Sequence, residues 1–295
     1  MYLRYLLEYG ALRFGLFLLR RLSPPRAERL AIALADVWYL LNRSRRLVAQ
    51  ANISRAGIST DPAQADRIAR ASFRHFAILA VDSIKTDDCF TETNWRDSVE
   101  MDIHPATLAL LENPRQGVIL VSGHLGNWEV AAQLLSYIKP VVGVTKKMSN
   151  PYTDRLIKER KARNRFRLTP MRDASASRFL TALKDGEMLA LLVDQYAKGE
   201  RLMLDFFGIP ASTHPSPAIL HLVTRTPICF GYCLRTGPMK FKLKAGAPIN
   251  FQRTGNREQD VRAILGMLNR ELEAAIRASP EQYLWAHRRW RDRKA

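Results

Sequence analysis

The stretch Val121–Ala132, "VSGHLGNWEVAA", sets a histidine five residues ahead of a glutamate, directly after an apolar run. An imidazole steadied by a carboxylate is a general base: one ring nitrogen is fixed by the carboxylate and the other takes a proton. Residues five apart in one regular helix point roughly 140° away from each other. His124 and Glu129 therefore meet only if His124 lies on a turn and Glu129 in the first turn of a following helix. Gly123 and Gly126 permit such a turn, and Asn127 is a favoured helix N-cap. Glu129 can then accept from one imidazole nitrogen, leaving the other to deprotonate an attacking hydroxyl. Backbone N–H groups around Gly123–Gly126 are candidates for holding an oxyanion, and Gly126 and Asn127 are expected to line the binding site. A glutamate near a helix start is also favourable through the helix dipole alone.

Other chemistries lack their residues. The chain has no G-x-S-x-G elbow, no Walker-type loop, no H-E-x-x-H and no paired C-x-x-C ligands, so neither a metal nor a cofactor is expected. A His–Glu pair without its own nucleophile suggests that the substrate supplies the hydroxyl, which is the logic of direct acyl transfer. The three cysteines, Cys89, Cys229 and Cys233, make no disulfide framework. In "CFGYC" two of them share one face of a strand, as reduced core thiols, and the catalytic side of the protein is expected to face a reducing compartment.

The elements that must position the pair can be traced by periodicity. "GVILVS" (117–122) and "VVGVT" (141–145) read as buried strands with the helix "WEVAAQLLSYI" between them, the unit of a parallel sheet. "SASRFLTALKDGEMLALLVDQ" repeats the scheme. "TPICFGYC" and "MKFKLKA" read as a hairpin joined by "LRTGP", and "VRAILGMLNRELEAAI" as a closing helix striped by Val261, Ile264, Leu265, Leu268, Leu272 and Ile276. The first hundred residues are mainly helical, with Asp61 capping a helix that Pro62 opens. The expected fold class is α/β: a mixed, largely parallel sheet flanked by helices, with an N-terminal hydrophobic helical extension. The division expected is 1–46 for membrane-associating helices and 47–295 for the catalytic domain.

Charge narrows the partners. Forty-six Lys+Arg against 28 Asp+Glu give +18, which calls for a polyanionic partner: nucleic acid, an anionic membrane face, a phosphorylated substrate or an acidic carrier protein. Thr145–Arg172 alone holds ten basic and two acidic residues. Its few interleaved aromatics, Tyr152 and Phe166, and the lack of a recognised motif speak against a nucleic-acid-binding module. The N-terminal "MYLRYLLEYGALRFGLFLLRRLSPP" is interrupted by Arg4, Glu8 and Arg13, with no cleavage site after it. It fits an amphipathic helix in a membrane interface, with a spanning helix and a core-docked helix as the other readings.

"GHLGNWE" resembles the H-x-x-x-x-[DE] signature of the glycerolipid acyltransferase superfamily, in the glutamate form of the bacterial lipid A late acyltransferases. "KKMSNPYTDRLIKERKARN", "LLVDQYAKGERLMLDFFGIPASTHPSPA" and "PEQYLWAHRRWR" resemble further blocks of that family, in the same order along nearly the whole chain. The resemblance implies His124 as general base with Glu129 as its partner. It also implies a site containing Asp194, its neighbour Gln195 and an arginine of the basic segment, Arg163 or, as runner-up, Arg160. It implies a glycerolipid acyltransferase-like fold at the cytoplasmic face of the inner membrane. The donor would be an acyl thioester of acyl carrier protein or coenzyme A, and the acceptor a hydroxyl of a lipid A precursor. A glycosylated phospholipid or an aminolipid is the alternative acceptor within the same family.

Overall fold

The structure is a computed structural model and describes residues 2–162, 165–170, 176–197 and 201–290. Four helices open the chain: α1 (Tyr2–Arg21), α2 (Pro24–Leu41), α3 (Arg43–Arg55) and α4 (Pro62–Cys89). Asp61 caps α4, its carboxylate accepting from the Ala63 and Gln64 N–H groups. Small residues on α2, Ala27 and Ala31, seat closely against Ile78 and Val81 of α4. The boundary expected at residue 46 falls within α3.

Strands and helices then alternate: β1 (Val99–Ile103), α5 (Pro105–Glu112), β2 (Val118–Ser122), α6 (Trp128–Ile138), β3 (Val141–Thr145), α7 (Pro151–Ala162) and β4 (Phe166–Pro170). After them come α8 (Ala176–Lys184), β5 (Met188–Leu192), the antiparallel pair β6 (Leu202–Phe206) and β7 (Ile209–Thr213), and α9 (Ser216–Thr224). β8 (Ile228–Gly237), β9 (Lys240–Ala245) and α10 (Arg257–Ala278) come next, and a short 3-10 turn, Pro280–Gln282, follows α10.

Seven strands form one sheet in the order β1-β9-β8-β2-β5-β3-β4. Five of its six pairings are parallel, and the β8/β9 hairpin is antiparallel. Alternation along β2 sends Ile119 and Val121 to one core and Val118 and Leu120 to the other. The first face packs against α10, whose expected stripe from Val261 to Ile276 is buried throughout. The second face carries Cys229 and Cys233 and packs against α6. The expected turn "LRTGP" is shorter than its letters suggest, because β8 runs on to Gly237.

α1 buries no residue, and no helix among the described residues is long and apolar enough to cross a membrane. The carbonyls of Arg20 and of Leu22, just past its end, accept from the buried Lys85 ammonium, and its first half leans on α7 where Asn150 donates to the Tyr5 carbonyl.

Candidate active site

The site stands where ligands bind in open α/β sheets, beyond the carboxyl ends of the strands. β2 and β5 are adjacent, parallel and in register, with Ser122 opposite Leu192. The Val193 N–H extends the ladder to the Ser122 carbonyl at 3.0 Å. His124 and Asp194 each lie two residues beyond those paired ends, so the register itself brings them face to face.

They are bonded twice. The His124 N–H donates to Asp194 Oδ2 at 2.9 Å, and Nδ1 of the ring meets Oδ1 at 2.8 Å. A carboxylate can only accept, so Nδ1 carries the proton and Nε2 holds the free lone pair. Burial alone would push the Asp194 carboxyl up; the charge and hydrogen bonds of His124, with the Arg289 guanidinium, outweigh it and hold the group below the usual carboxylate range. Nε2 faces the Gln195 amide nitrogen at 3.1 Å. The Trp128 ring system and the imidazole pack in a T-shaped contact, with centroids 4.7 Å apart.

Glu129 is placed elsewhere. It occupies the first turn of α6 as expected, but its carboxylate is paired with the buried ammonium of Lys161 on α7. The expected His124–Glu129 hydrogen bond is therefore corrected to His124–Asp194. The physical reason is that strand register supplies a buried carboxylate at Nδ1, while α6 turns Glu129 toward the buried Lys161 ammonium.

Gly126 and Asn127, expected to line the binding site, shape the turn instead. Gly126 has φ +60°, and a Cβ there would lie 1.9 Å from the Cys233 carbonyl oxygen. Its N–H donates to the Gln282 carbonyl at 2.9 Å, and its own carbonyl accepts from His75 Nε2 at 3.0 Å. Asn127 is fully buried and caps α6 by accepting from the Val130 N–H at 3.1 Å. With the His124 N–H on Asp194 and the Gly126 N–H on Gln282, those two donors are not available to an oxyanion in this arrangement.

The basic segment is largely neutralised within the fold. Of its eight cations among the described residues, six are in ion pairs: Arg155, Lys158, Arg160, Lys161, Arg165 and Arg167. Arg160 binds Asp87 and donates to the Ser83 carbonyl at 2.5 Å, tying α7 to α4. Arg163 lies outside the described residues.

Sequence reasoning missed the strap that follows α10. The Leu284 N–H donates to the His124 carbonyl at 3.1 Å, and His287 Nε2 accepts from the Tyr196 N–H at 3.1 Å. The Asn52 amide on α3 clasps the strap through the Trp285 and His287 carbonyls at 2.8 and 2.7 Å. Its run of aromatic and basic letters, "YLWAHRRW", was the available signal. The Tyr283 phenol, buried beside the Asp194 charge, is pushed well above its ordinary range.

A narrow cavity runs between α6 and the sheet. It begins at Trp128, Ser122 and Leu192, next to the His124 turn, and reaches Leu111 and Ile103. Its lining is almost entirely apolar, and small side chains at Ala131, Ala132, Ala190 and Gly231 leave the space open. The dyad thus offers a lone pair for proton abstraction at the end of an apolar slot.

A lipid A biosynthesis acyltransferase of Haemophilus influenzae is 24% identical over 188 residues, covering 62% of this chain. The match spans 58% of that relative's length. Among solved structures, the 1-acyl-sn-glycerophosphate acyltransferase PlsC of Thermotoga maritima matches with TM-score 0.38 and 12% identity, over 84% of this chain and 98% of that one. At that score the superposition says nothing about the site. The model of one family, "Bacterial lipid A biosynthesis acyltransferase", matches residues 1–292. The chain belongs to the bacterial lipid A biosynthesis acyltransferase family.

Proposed function

We propose that the protein is a membrane-associated O-acyltransferase that moves a fatty acyl chain from a thioester of acyl carrier protein or coenzyme A to a hydroxyl of a lipid A precursor or related glycolipid. The observation that carries this reading is the apolar cavity that begins beside the His124 base. The acyl chain lies in that cavity with its thioester carbonyl at Trp128 and His124. The acceptor hydroxyl takes the place of the Gln195 amide at Nε2. Its oxygen attacks the thioester carbon as Nε2 takes its proton, and Asp194 steadies the imidazolium that forms. The tetrahedral intermediate then collapses. The C–S bond breaks, the departing thiolate takes the proton from Nε2, and an ester and a free thiol result.

Membrane association is supported by apolar side chains that none of the described residues covers. Leu3, Leu7 and Phe14 on α1 and Leu34, Trp38 and Leu41 on α2 are each more than half exposed. Arg20, Arg21, Arg26, Arg29 and Arg43 accompany them in sequence, the pattern of an interfacial helix on anionic lipid. The cytoplasmic face of the inner membrane is the surface that supplies both thioester and glycolipid.

Mass spectrometry of total lipids from cells with and without the gene tests the reading. The expected result is a glycolipid lighter by one fatty acyl chain when the gene is missing, restored by the wild-type gene and not by His124→Ala. Identical acylation in all strains overturns it.

A further inference from the structure

Arg289 is a buried cation for which the mechanism above gives no task. Only 3% of it is exposed, and it lies on the strap directly behind the dyad. Among the described residues no carboxylate comes within ion-pairing distance of it, and its Nε is buried without a hydrogen-bond partner. Its Nη1 donates to the Gln195 carbonyl at 3.2 Å and to the Ser212 carbonyl, and its Nη2 to Thr213 Oγ1 at 3.0 Å. The guanidinium also stacks over the Phe206 ring, 5.2 Å from its centroid. Burying a guanidinium is costly unless its charge is compensated. The ionisable groups that act on it are Tyr283 of the same strap and Asp194 of the β5 loop. From the β6–β7 pair it meets only uncharged groups, Ser212, Thr213 and the Phe206 ring.

We propose that Arg289 is the positioning residue of the dyad: its fork fixes the Asp194–Gln195 loop through the Gln195 carbonyl, and its buried charge acts on that same loop. The fork acts on geometry. It ties that loop to the β6–β7 pair, so that the carboxylate stands at His124 Nδ1 and the Gln195 amide at Nε2. The charge acts on protonation. It opposes proton uptake by Asp194, so the carboxylate stays charged at His124 Nδ1 at lower pH. This rests on His124 being the base of the proposed reaction, and the test keeps the two apart.

The full-length protein in detergent is assayed for acyl transfer from a fatty-acyl thioester of acyl carrier protein to a lipid A precursor across pH. The variants are Arg289→Met, Arg289→Lys and His124→Ala, each checked for folding by circular dichroism and melting. For Arg289→Met, kcat should fall about ten- to hundredfold with KM within about twofold, and the acid limb of the kcat profile should move up by roughly half a pH unit. Arg289→Lys restores the charge but not the fork, so its acid limb should return to the wild-type position while kcat stays reduced about tenfold. A packing role alone would leave the acid limb in place in both. If Arg289→Met fails to fold, Arg289→Lys carries the test, and a folded Arg289→Lys with wild-type kcat overturns the proposal. A folded Arg289→Met with wild-type kcat and an unmoved limb overturns it too, while an inactive His124→Ala leaves the base in place. An active His124→Ala removes the base and this proposal with it.

Discussion

His124 and Asp194 are 70 residues apart in sequence and joined by two hydrogen bonds, one from the backbone N–H and one from the ring. The backbone bond fixes where the carboxylate stands, and the ring bond fixes the tautomer. Because both residues follow adjacent parallel strands by the same two-residue step, the rigidity of the sheet is transmitted to the dyad. The His124–Asp194 pair is thus built on the sheet, with α6 carrying the Trp128 wall and one side of the cavity.

Seating the acyl chain in the cavity, as proposed, makes chain length depend on the cavity's far wall. Ala190 on β5 faces it from the sheet, and a leucine there fills space that the end of an acyl chain would occupy. Ala190→Leu should move the preferred donor to a chain about two carbons shorter. At roughly 0.8 kcal/mol for each buried methylene, the preference between the two donors should change by about tenfold. Competition between two thioesters of different length, read by mass spectrometry of the product, checks this. An unchanged preference in a folded Ala190→Leu would place the acyl chain elsewhere.

How much of this was legible in the sequence depended on the range of the interactions. Period alone locates β2, α6, β3 and α10, because buried runs and the 3.6-residue stripe are local signals. The His124 turn was legible too, since Gly126 marks a left-handed position and Asn127 a cap. The partner of His124 was not. A local motif proposes the carboxylate five residues away, whereas the structure chooses one that depends on β5 lying beside β2. Sheet order is a long-range property that no spacing encodes. The same limit hid the strap, whose bonds to the His124 turn and to Asn52 cross the whole chain.

Membrane seating should depend on α1 and α2. Leu34→Glu with Trp38→Glu places two charges on the exposed apolar face without touching the buried Ala27, Ala31 and Ala35. The double variant should float poorly with vesicles that contain anionic lipid, while melting near the wild-type temperature. Flotation equal to wild type would move the membrane contact away from this face.

Acid should loosen the site through His75. Burial pushes its imidazole down to about 4, below its ordinary 6.5, while its Nε2–H holds the Gly126 carbonyl. A group whose folded value is depressed contributes stability that is present above pH 6.5 and is lost as pH falls through 4, here about 3 kcal/mol. Asp82, pushed up to about 6 by burial, works the other way: its contribution is greatest in acid and is lost as pH rises through 6. Comparing His75→Gln with wild type cancels that opposing effect. Urea unfolding of the variant should depend on pH more weakly than wild type between 6.5 and 4. Parallel curves would mean that His75 is not held neutral.

The most direct test of the account separates the two carboxylates. Acyl transfer is measured for Asp194→Asn and for Glu129→Gln under one set of conditions, with folding checked by circular dichroism. Asp194→Asn keeps the shape but cannot hold the tautomer or steady the imidazolium, so kcat should fall by about 10²–10⁴-fold. Glu129→Gln breaks the ion pair with Lys161 and leaves the dyad intact. It should cost stability and less than about tenfold in kcat. The opposite order, a folded Asp194→Asn that stays active beside an inactive, folded Glu129→Gln, would contradict the His124–Asp194 dyad as the catalytic base.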